Sequence, residues 1–397
     1  MPLPSPAAAA ASPTSTEAYT GCVDMPSVAE WHVHGLSACL VQVGHLAAEM
    51  RRDSSTLTDF GTLSALLPLP RPPPHAMPRP PPHAMPSGEY HMDAGTCHTT
   101  KPGHTMVVCL PSLVMPGVMK GGTTEFSAEA TQHPIISHSR GSRSIMEIHW
   151  FNRDWAAANL SKTARATAYM AKGQWPPGKY GFDRSTDYLP EARTVFPRMH
   201  SLMPSVRLIV LLREPGARMF SQYNNGYLKN AKHIKRGEPM NPVYSCLAAP
   251  SDAPECFDTL VSYVATCDAA DQIDSKVCNL TVSLFYRSCY LPQLLELSRN
   301  YPSQQVAVLV SERFFADVNT TLNAVWSALG LPLHNHGQHR RLQAPCWRPE
   351  ECPNQTKVRM LEQTKRNLQG LFSPQVEALA QLMPHLELET WWPGYWS

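Results

Sequence analysis

The segment Ser112-Leu113-Val114-Met115-Pro116-Gly117-Val118-Met119-Lys120-Gly121-Gly122-Thr123-Thr124-Glu125-Phe126 decides how the rest of the chain is read. Its apolar start has the texture of a buried strand. The glycines permit a tight backbone turn, and Thr123-Thr124 open a helical pattern. A strand, a glycine turn and a helix N-terminus with one lysine form a cradle for a phosphate-like anion, because the first amides of a helix lack intrahelical acceptors and carry partial positive charge. In the common nucleotide loop the lysine follows the last glycine and precedes Ser or Thr. Here Lys120 precedes Gly121 and Gly122, so the chemistry served is a different one.

A second unit of the same kind lies downstream. Val206–Leu212 is apolar enough to be buried on both faces of a parallel sheet, and it runs into Arg213-Glu214-Pro215-Gly216-Ala217-Arg218-Met219-Phe220-Ser221-Gln222-Tyr223. Pro215 suits the first turn of a helix. This places Arg213 at the strand end and Ser221 two turns up the helix, where a guanidinium fork and a hydroxyl can clamp a second phosphate. Arg218 reads as a helix-surface or structural ion-pair residue. Two anion sites at the carboxyl edge of one sheet suit a nucleotide phosphorylated in two places.

The remaining pattern is α/β. Strands are expected at Val107–Met115, Ile145–Phe151, Lys179–Asp183, Val206–Leu212 and Val306–Val310. Helices are expected at Thr123–Gln132, Ala156–Met170, Glu191–His200, from Pro215 to about Leu228, and near Phe257–Ala270, Leu291–Asn300, Val318–Leu329 and Pro374–Met383. Asn230–Glu255 reads as a surface excursion. The fold class that follows is a P-loop-like three-layer sandwich, a central parallel sheet with helices on both faces. Residues 1–105 carry the duplicated RPPPHAMP of Arg71–Pro78 and Arg79–Pro86 and read as a proline-rich, disordered extension. The expected folded domain is 106–397.

Composition bounds the function. The 397 residues are 43% hydrophobic, enough for a sizeable core, and the net charge of +2 excludes a general nucleic-acid binder. No stretch approaches the ~20 apolar residues of a membrane span. Of the 11 cysteines, those from Cys246 to Cys289 recur at ten- or eleven-residue intervals, none a metal knuckle, and Cys346 and Cys352 bracket CWRPEEC as a small disulfide ring. Asn-x-Ser/Thr sequons begin at Asn159, Asn279, Asn319 and Asn354. Together they point to an oxidising, secretory compartment. The opening Met1-Pro-Leu-Pro-Ser-Pro lacks the basic region of a signal peptide, so such a location requires an atypical targeting segment.

GVMKGGTTEF resembles the 5′-phosphosulfate loop of sulfotransferases that use 3′-phosphoadenosine 5′-phosphosulfate (PAPS), and REPGARMFSQY resembles the same family's 3′-phosphate motif. EIHWF and SERFFADVNTTLNAVWSALGLP are similar to further family segments, so the likeness runs from about Met106 to the C-terminus. Glu147-Ile148-His149-Trp150-Phe151 and the closing LFSPQVEALA resemble the Golgi carbohydrate sulfotransferases of the heparan and chondroitin type.

This resemblance implies PAPS as donor, a glycan or glycoprotein acceptor, no nucleic acid and no metal. It implies Glu147 as the base that takes the acceptor proton and Lys120 as the charge that steadies the leaving nucleotide. The amides of Gly121, Gly122, Thr123 and Thr124 would hold the phosphosulfate, with Arg213 and Ser221 on the 3′-phosphate. His149, on the same strand face as Glu147, contacts the acceptor, orients the base or simply packs. Where many relatives carry a lysine after the third strand, this chain has Arg184, and the Lys-Gly-Arg loop of the heparan 3-O type is not evident after Cys352. A tyrosyl-protein or small-molecule sulfotransferase, a catalytically weak PAPS-binding protein and, more distantly, a P-loop kinase are the alternatives.

Overall fold

In the computed structural model of the chain, residues 93–99, 107–139, 147–155, 160–234, 253–269, 283–336 and 359–396 are described. The Arg71–Pro86 repeat, the CWRPEEC ring and the sequons at Asn159, Asn279 and Asn354 lie outside these residues.

Five parallel strands form the central sheet. They are β3 (Leu113–Gly117), β4 (Ile136–His138), β5 (Tyr180–Arg184), β6 (Arg207–Leu212) and β7 (Val306–Val310), in the order β4-β5-β3-β6-β7. The alternation of a strand sorts their side chains into two cores. Val114, Leu208, Val210, Leu212, Val306, Val308 and Val310 point to one face. Leu113, Met115, Ile209, Leu211, Ala307 and Leu309 point to the other.

On the first face pack α2 (Lys162–Gly173), α3 (Ala192–Leu202), α4 (Pro215–Ile234), α5 (Ala253–Ala269), α6 (Tyr290–Ser298) and α9 (Glu362–Leu382). On the second pack α1 (Thr123–Ala130), α7 (Ser311–Ala316) and α8 (Val318–Ala328). Helices on both faces of a parallel sheet give the expected three-layer α/β sandwich. The chain builds outward from β3 on one side through β5 and β4 and on the other through β6 and β7. The crevice at the carboxyl ends of β3 and β6 is therefore the switch point where such sheets bind ligands.

Several expected elements change. Val107–Met115 is not one strand: β2 (Val107–Cys109) pairs antiparallel with β1 (Cys97–Thr99), and β3 begins only after Pro111-Ser112. Proline offers no amide to a ladder, so the chain changes sheet there. β1 lies ahead of the boundary expected at Met106, and the Cys97–Cys109 disulfide joins it to β2. Cys256 and Cys289 are also disulfide-bonded.

The expected excursion at Asn230–Glu255 is helical at both ends, since α4 continues to Ile234 and α5 starts at Ala253. The expected C-terminal helix begins twelve residues earlier, at Glu362, with Pro374 inside it. Proline cannot donate the hydrogen bond its position would otherwise make, and the neighbouring Ser373 hydroxyl turns to the Gln369 carbonyl at 2.8 Å.

Candidate active site

Each strand end at the switch point contributes a loop, and the loops are braced on one another. After β3, Lys120 adopts φ 68° and Gly122 φ 82°, the left-handed turns that deliver the chain into α1. At Gly122 a side chain would also strike the Phe315 ring at 2.6 Å, so glycine is required on both grounds. The Val118 amide donates to the Leu211 carbonyl of β6 at 3.1 Å, and the Ser311 hydroxyl after β7 donates to the Gly121 carbonyl at 2.6 Å. From the end of β6, Arg213 donates to the Lys120 carbonyl at 2.8 Å. The Gly121 amide turns inward onto the Val118 carbonyl, and the Phe126 amide closes the first helical turn on Gly122. Of the amides expected to hold an anion, those of Gly122, Thr123 and Thr124 retain the helix-terminal position, with Thr123 buried and Thr124 half-buried. Ser221 is half-buried on the second turn of α4, and its hydroxyl makes no hydrogen bond to the other described residues.

Arg218 is neither at the surface nor ion-paired. It is fully buried and donates to Ser288 Oγ at 2.5 Å, the Leu284 carbonyl at 2.6 Å and Gln222 Oε1 at 2.6 Å, with the Met119 carbonyl at 3.5 Å. Burial among neutral acceptors lowers its pKa to about 10, which leaves it charged at neutral pH.

The segment around Glu147 corrects the strand expected at Ile145–Phe151. Glu147–His149 are irregular backbone, His149 is left-handed at φ 53°, and Trp150–Asp154 form a π-helical turn. Side chains from the end of β5 replace the missing ladder. Ser185 Oγ accepts from the Ile148 amide at 3.0 Å and the His149 amide at 3.1 Å, and the Tyr188 hydroxyl accepts from the Trp150 amide at 2.8 Å. Behind them, buried Asp183 accepts from Tyr169 at 2.5 Å and from Ser185 at 2.8 Å. Burial among hydroxyls rather than cations raises its pKa despite those bonds. Three consecutive amides are thus held by hydroxyls, and the turn they enforce brings Glu147 and His149 together. His149 Nε2 lies 2.9 Å from Glu147 Oε2.

Glu147 accepts a further bond from the Thr186 hydroxyl at 2.7 Å and lies 3.9 Å from the Arg184 guanidinium. Burial pushes its pKa up, but the bonds from His149 and Thr186 and the charge of Arg184 outweigh that, and the net shift is downward. Arg184 also donates to the Thr124 hydroxyl at 2.6 Å. One guanidinium therefore spans the first anion loop and the carboxylate.

On the other side of His149, Nδ1 is 4.0 Å from Asp187 Oδ2. Burial raises the pKa of Asp187, but Arg287 and Arg153, which both contact it, together with His149 lower it overall. Glu147, His149 and Asp187 offer ligand atoms within 4.8 Å of one another, a grouping of the metal-binding type. Arg184 lies beside Glu147, and Arg287 and Arg153 contact Asp187, so the grouping carries guanidinium charges around it.

Ser185, Thr186, Asp187 and Arg287 receive no role in the sequence reading, where the first three stand only beside Arg184 in the segment that departs from the relatives' motif. The first three sit in Asp183–Tyr188, whose density of hydroxyls and carboxylates at a strand end was the available signal. Arg287 carries none, since only the tertiary fold brings it to Asp187.

No family model matches the chain. Over 133 residues, 32% of its length, the chain is 29% identical to the membrane-associated sulfotransferase kil1 of Dictyostelium discoideum. The match spans 25% of that relative, so the chain corresponds to about a quarter of it. Among solved structures it is similar to a sulfotransferase from Alicyclobacillus acidocaldarius, with 18% identity and a TM-score of 0.48 over 72% of this chain and 99% of that one. A second is the sulfotransferase domain of the Synechococcus PCC 7002 olefin synthase, with 13% identity and a TM-score of 0.33 over 68% and 96%.

Fold and site define an α/β protein with two adjoining loops at the carboxyl edge of a parallel sheet, at its switch point. In sequence the chain resembles sulfotransferases.

Proposed function

We propose that the chain is a PAPS-dependent sulfotransferase that moves a sulfuryl group to a hydroxyl of a carbohydrate acceptor. The observation that carries this reading is Arg184, whose guanidinium reaches Thr124 of the first anion loop at 2.6 Å and Glu147 at 3.9 Å. A single residue holds a phosphosulfate-type cradle and a carboxylate base in fixed relation, as group transfer between two bound partners requires.

The donor's 5′-phosphosulfate rests on the amides of Gly122, Thr123 and Thr124, and Arg213 with Ser221 takes the 3′-phosphate. The acceptor oxygen attacks sulfur in line. As the new S–O bond forms, the S–O bond to the 5′-phosphate breaks, and the acceptor proton passes to Glu147. Adenosine 3′,5′-bisphosphate leaves with the bond's electron pair, its charge met by Lys120 and the loop amides. In a loose transition state the nucleophile need not be deprotonated early, so a carboxylate held ionised by His149 and Thr186 serves as a proton acceptor despite its lowered pKa. The charges needed are supplied without a metal.

Sequons and the Cys97–Cys109 disulfide support a secretory, Golgi-type location. No described helix is long and apolar enough to cross a membrane.

The test is transfer of labelled sulfate from PAPS by the purified chain to a panel of glycans, tyrosine-containing peptides and small hydroxyl compounds. Transfer to glycans is expected. Glu147→Gln should lower it about 10²- to 10⁴-fold while nucleotide binding persists. Tight nucleotide binding without transfer to any acceptor would leave a binding protein and overturn the enzymatic reading.

A further inference from the structure

The C-terminal segment Trp391-Trp392-Pro393-Gly394-Tyr395-Trp396 is rich in aromatic residues, and two of them reach the strand-end loops of the switch point. Trp392 is 1% exposed and Tyr395 5%. The Trp392 indole donates to Glu312 Oε2 at 3.0 Å, and the Tyr395 hydroxyl donates to Glu214.

Both carboxylates belong to strand-end loops of the switch point. Glu312 follows β7 and accepts the Glu214 amide at 3.1 Å. Glu214 follows Arg213 and caps α4 by accepting the amides of Gly216, at 3.0 Å, and Ala217. The carbonyl of Arg213 is held by the Tyr290 hydroxyl at 2.7 Å, and the Tyr290 ring packs 6.4 Å from that of Trp392. The peptide between Arg213 and Glu214 is therefore gripped at its carbonyl and at its amide, and the carboxylates beside it are served by neutral donors from the chain's end.

That choice of donors matters. Two carboxylates near one guanidinium attract it, and Glu312 already feels the charge of Arg213. A carboxylate whose bonds are satisfied by an indole or a phenol has less call on the arginine fork. We propose that the segment Pro384–Trp396 is a positioning element of the donor site. Trp392 and Tyr395 occupy Glu312 and Glu214, so that Arg213 stays against the first loop, on the Lys120 carbonyl at 2.8 Å, ready for the nucleotide's phosphate. This rests on Arg213 being a ligand of the nucleotide.

The experiment uses the whole chain and adenosine 3′,5′-bisphosphate, with calorimetric Kd, acceptor KM and thermal melting measured for Trp392→Phe, Tyr395→Phe, Glu312→Gln, the Trp392→Phe/Glu312→Gln pair and Arg213→Ala. Tyr395→Phe removes one hydroxyl, so it keeps the test meaningful if Trp392→Phe folds poorly. Each tail variant should raise Kd about fivefold and leave the acceptor KM unchanged. The pair should lose less than the sum of its members, because the indole acts through that carboxylate. A fall in melting temperature with unchanged Kd would show that the tail only packs, and would overturn the proposal. If Arg213→Ala weakens binding and the tail variants do not, this inference fails alone. If wild type does not bind the nucleotide, or Arg213→Ala binds it equally well, the donor-site reading fails and takes the inference with it.

Discussion

Ser185→Ala is the most searching perturbation of the base segment, because it removes one hydroxyl and touches no group assigned to a substrate. Ser185 is fully buried, and its oxygen accepts the amides of Ile148 and His149 while donating to Asp183. Alanine leaves two buried amides without their acceptor, at about 1–3 kcal/mol each. The space vacated by a hydroxyl is too small for a water to take over. The net cost is on the order of 2–5 kcal/mol, a drop of roughly 5–10 °C in melting temperature for a domain of this size.

The local effect is more specific. Without its two amide anchors the left-handed turn at His149 loses its cause, and Glu147 shifts relative to the donor loop. A displacement of about 1 Å costs on the order of 100-fold in rate. The assay is thermal melting, sulfuryl transfer at saturating substrates and Kd for adenosine 3′,5′-bisphosphate on the same preparation. The expected result is a lower melting temperature, a strongly reduced transfer rate and an unchanged Kd, since the Ser185 hydroxyl bonds to Ile148, His149 and Asp183 and its backbone bond to Met115 survives the substitution. Wild-type transfer and melting would refute the claim that hydroxyl anchors place the base.

Three further outcomes follow from the same geometry. Arg184→Lys keeps the charge but loses the fork joining Thr124 to Glu147, so transfer should fall about tenfold with nucleotide Kd within about twofold; an unchanged rate would remove Arg184 from its bridging role. Because the pKa of Glu147 lies below its ordinary 4.5, the ionised form contributes stability above that value and loses it as pH falls through the folded pKa. The acid limb of the rate profile should therefore lie below pH 4.5 and move upward in His149→Ala, and identical limbs in the two proteins would refute the role given to His149. Arg218→Met strands the neutral acceptors of a fully buried guanidinium and should cost about 1–3 kcal/mol for each acceptor left unpaired in denaturant unfolding, whereas an unshifted midpoint would show that those bonds contribute nothing.

The two strand–loop–helix turns at the switch point were legible in the sequence because each is announced by a buried strand whose apolar run leaves little alternative, LVMPG before one and RLIVLL before the other. Local signals sufficed there, since backbone, glycine and strand end are contiguous. Proline misled in both directions. Pro111 broke an apolar run that looked continuous, and Pro374 did not end a helix but lies inside one that runs from Glu362 to Leu382. IMEIHWF has the composition of a strand, and composition lost to long-range hydrogen bonds from Ser185 and Tyr188. Glu147 and His149 were paired in advance on the period of two. They do meet, but through a left-handed turn, so the right neighbours followed from the wrong backbone. Contacts such as Arg287 with Asp187 depend on the fold as a whole and leave no local trace.

The difference between the two halves of the site has a physical basis. The β3 and β6 loops are built at the ends of neighbouring strands, so their backbone course continues that of the sheet. The base has no strand beneath it. It depends on a column of polar side chains, Asp183 to Ser185 to the Ile148 and His149 amides, in which every hydroxyl both accepts and donates. Such a network is rigid when complete and costly when one member is lost, because each buried group then lacks a partner. Single hydroxyl deletions in Asp183–Tyr188 should therefore act on transfer, and changes at Arg213 and its C-terminal brace on nucleotide binding. The two classes meet at Arg184, a side chain bonded to Thr124 of the β3 loop and facing Glu147.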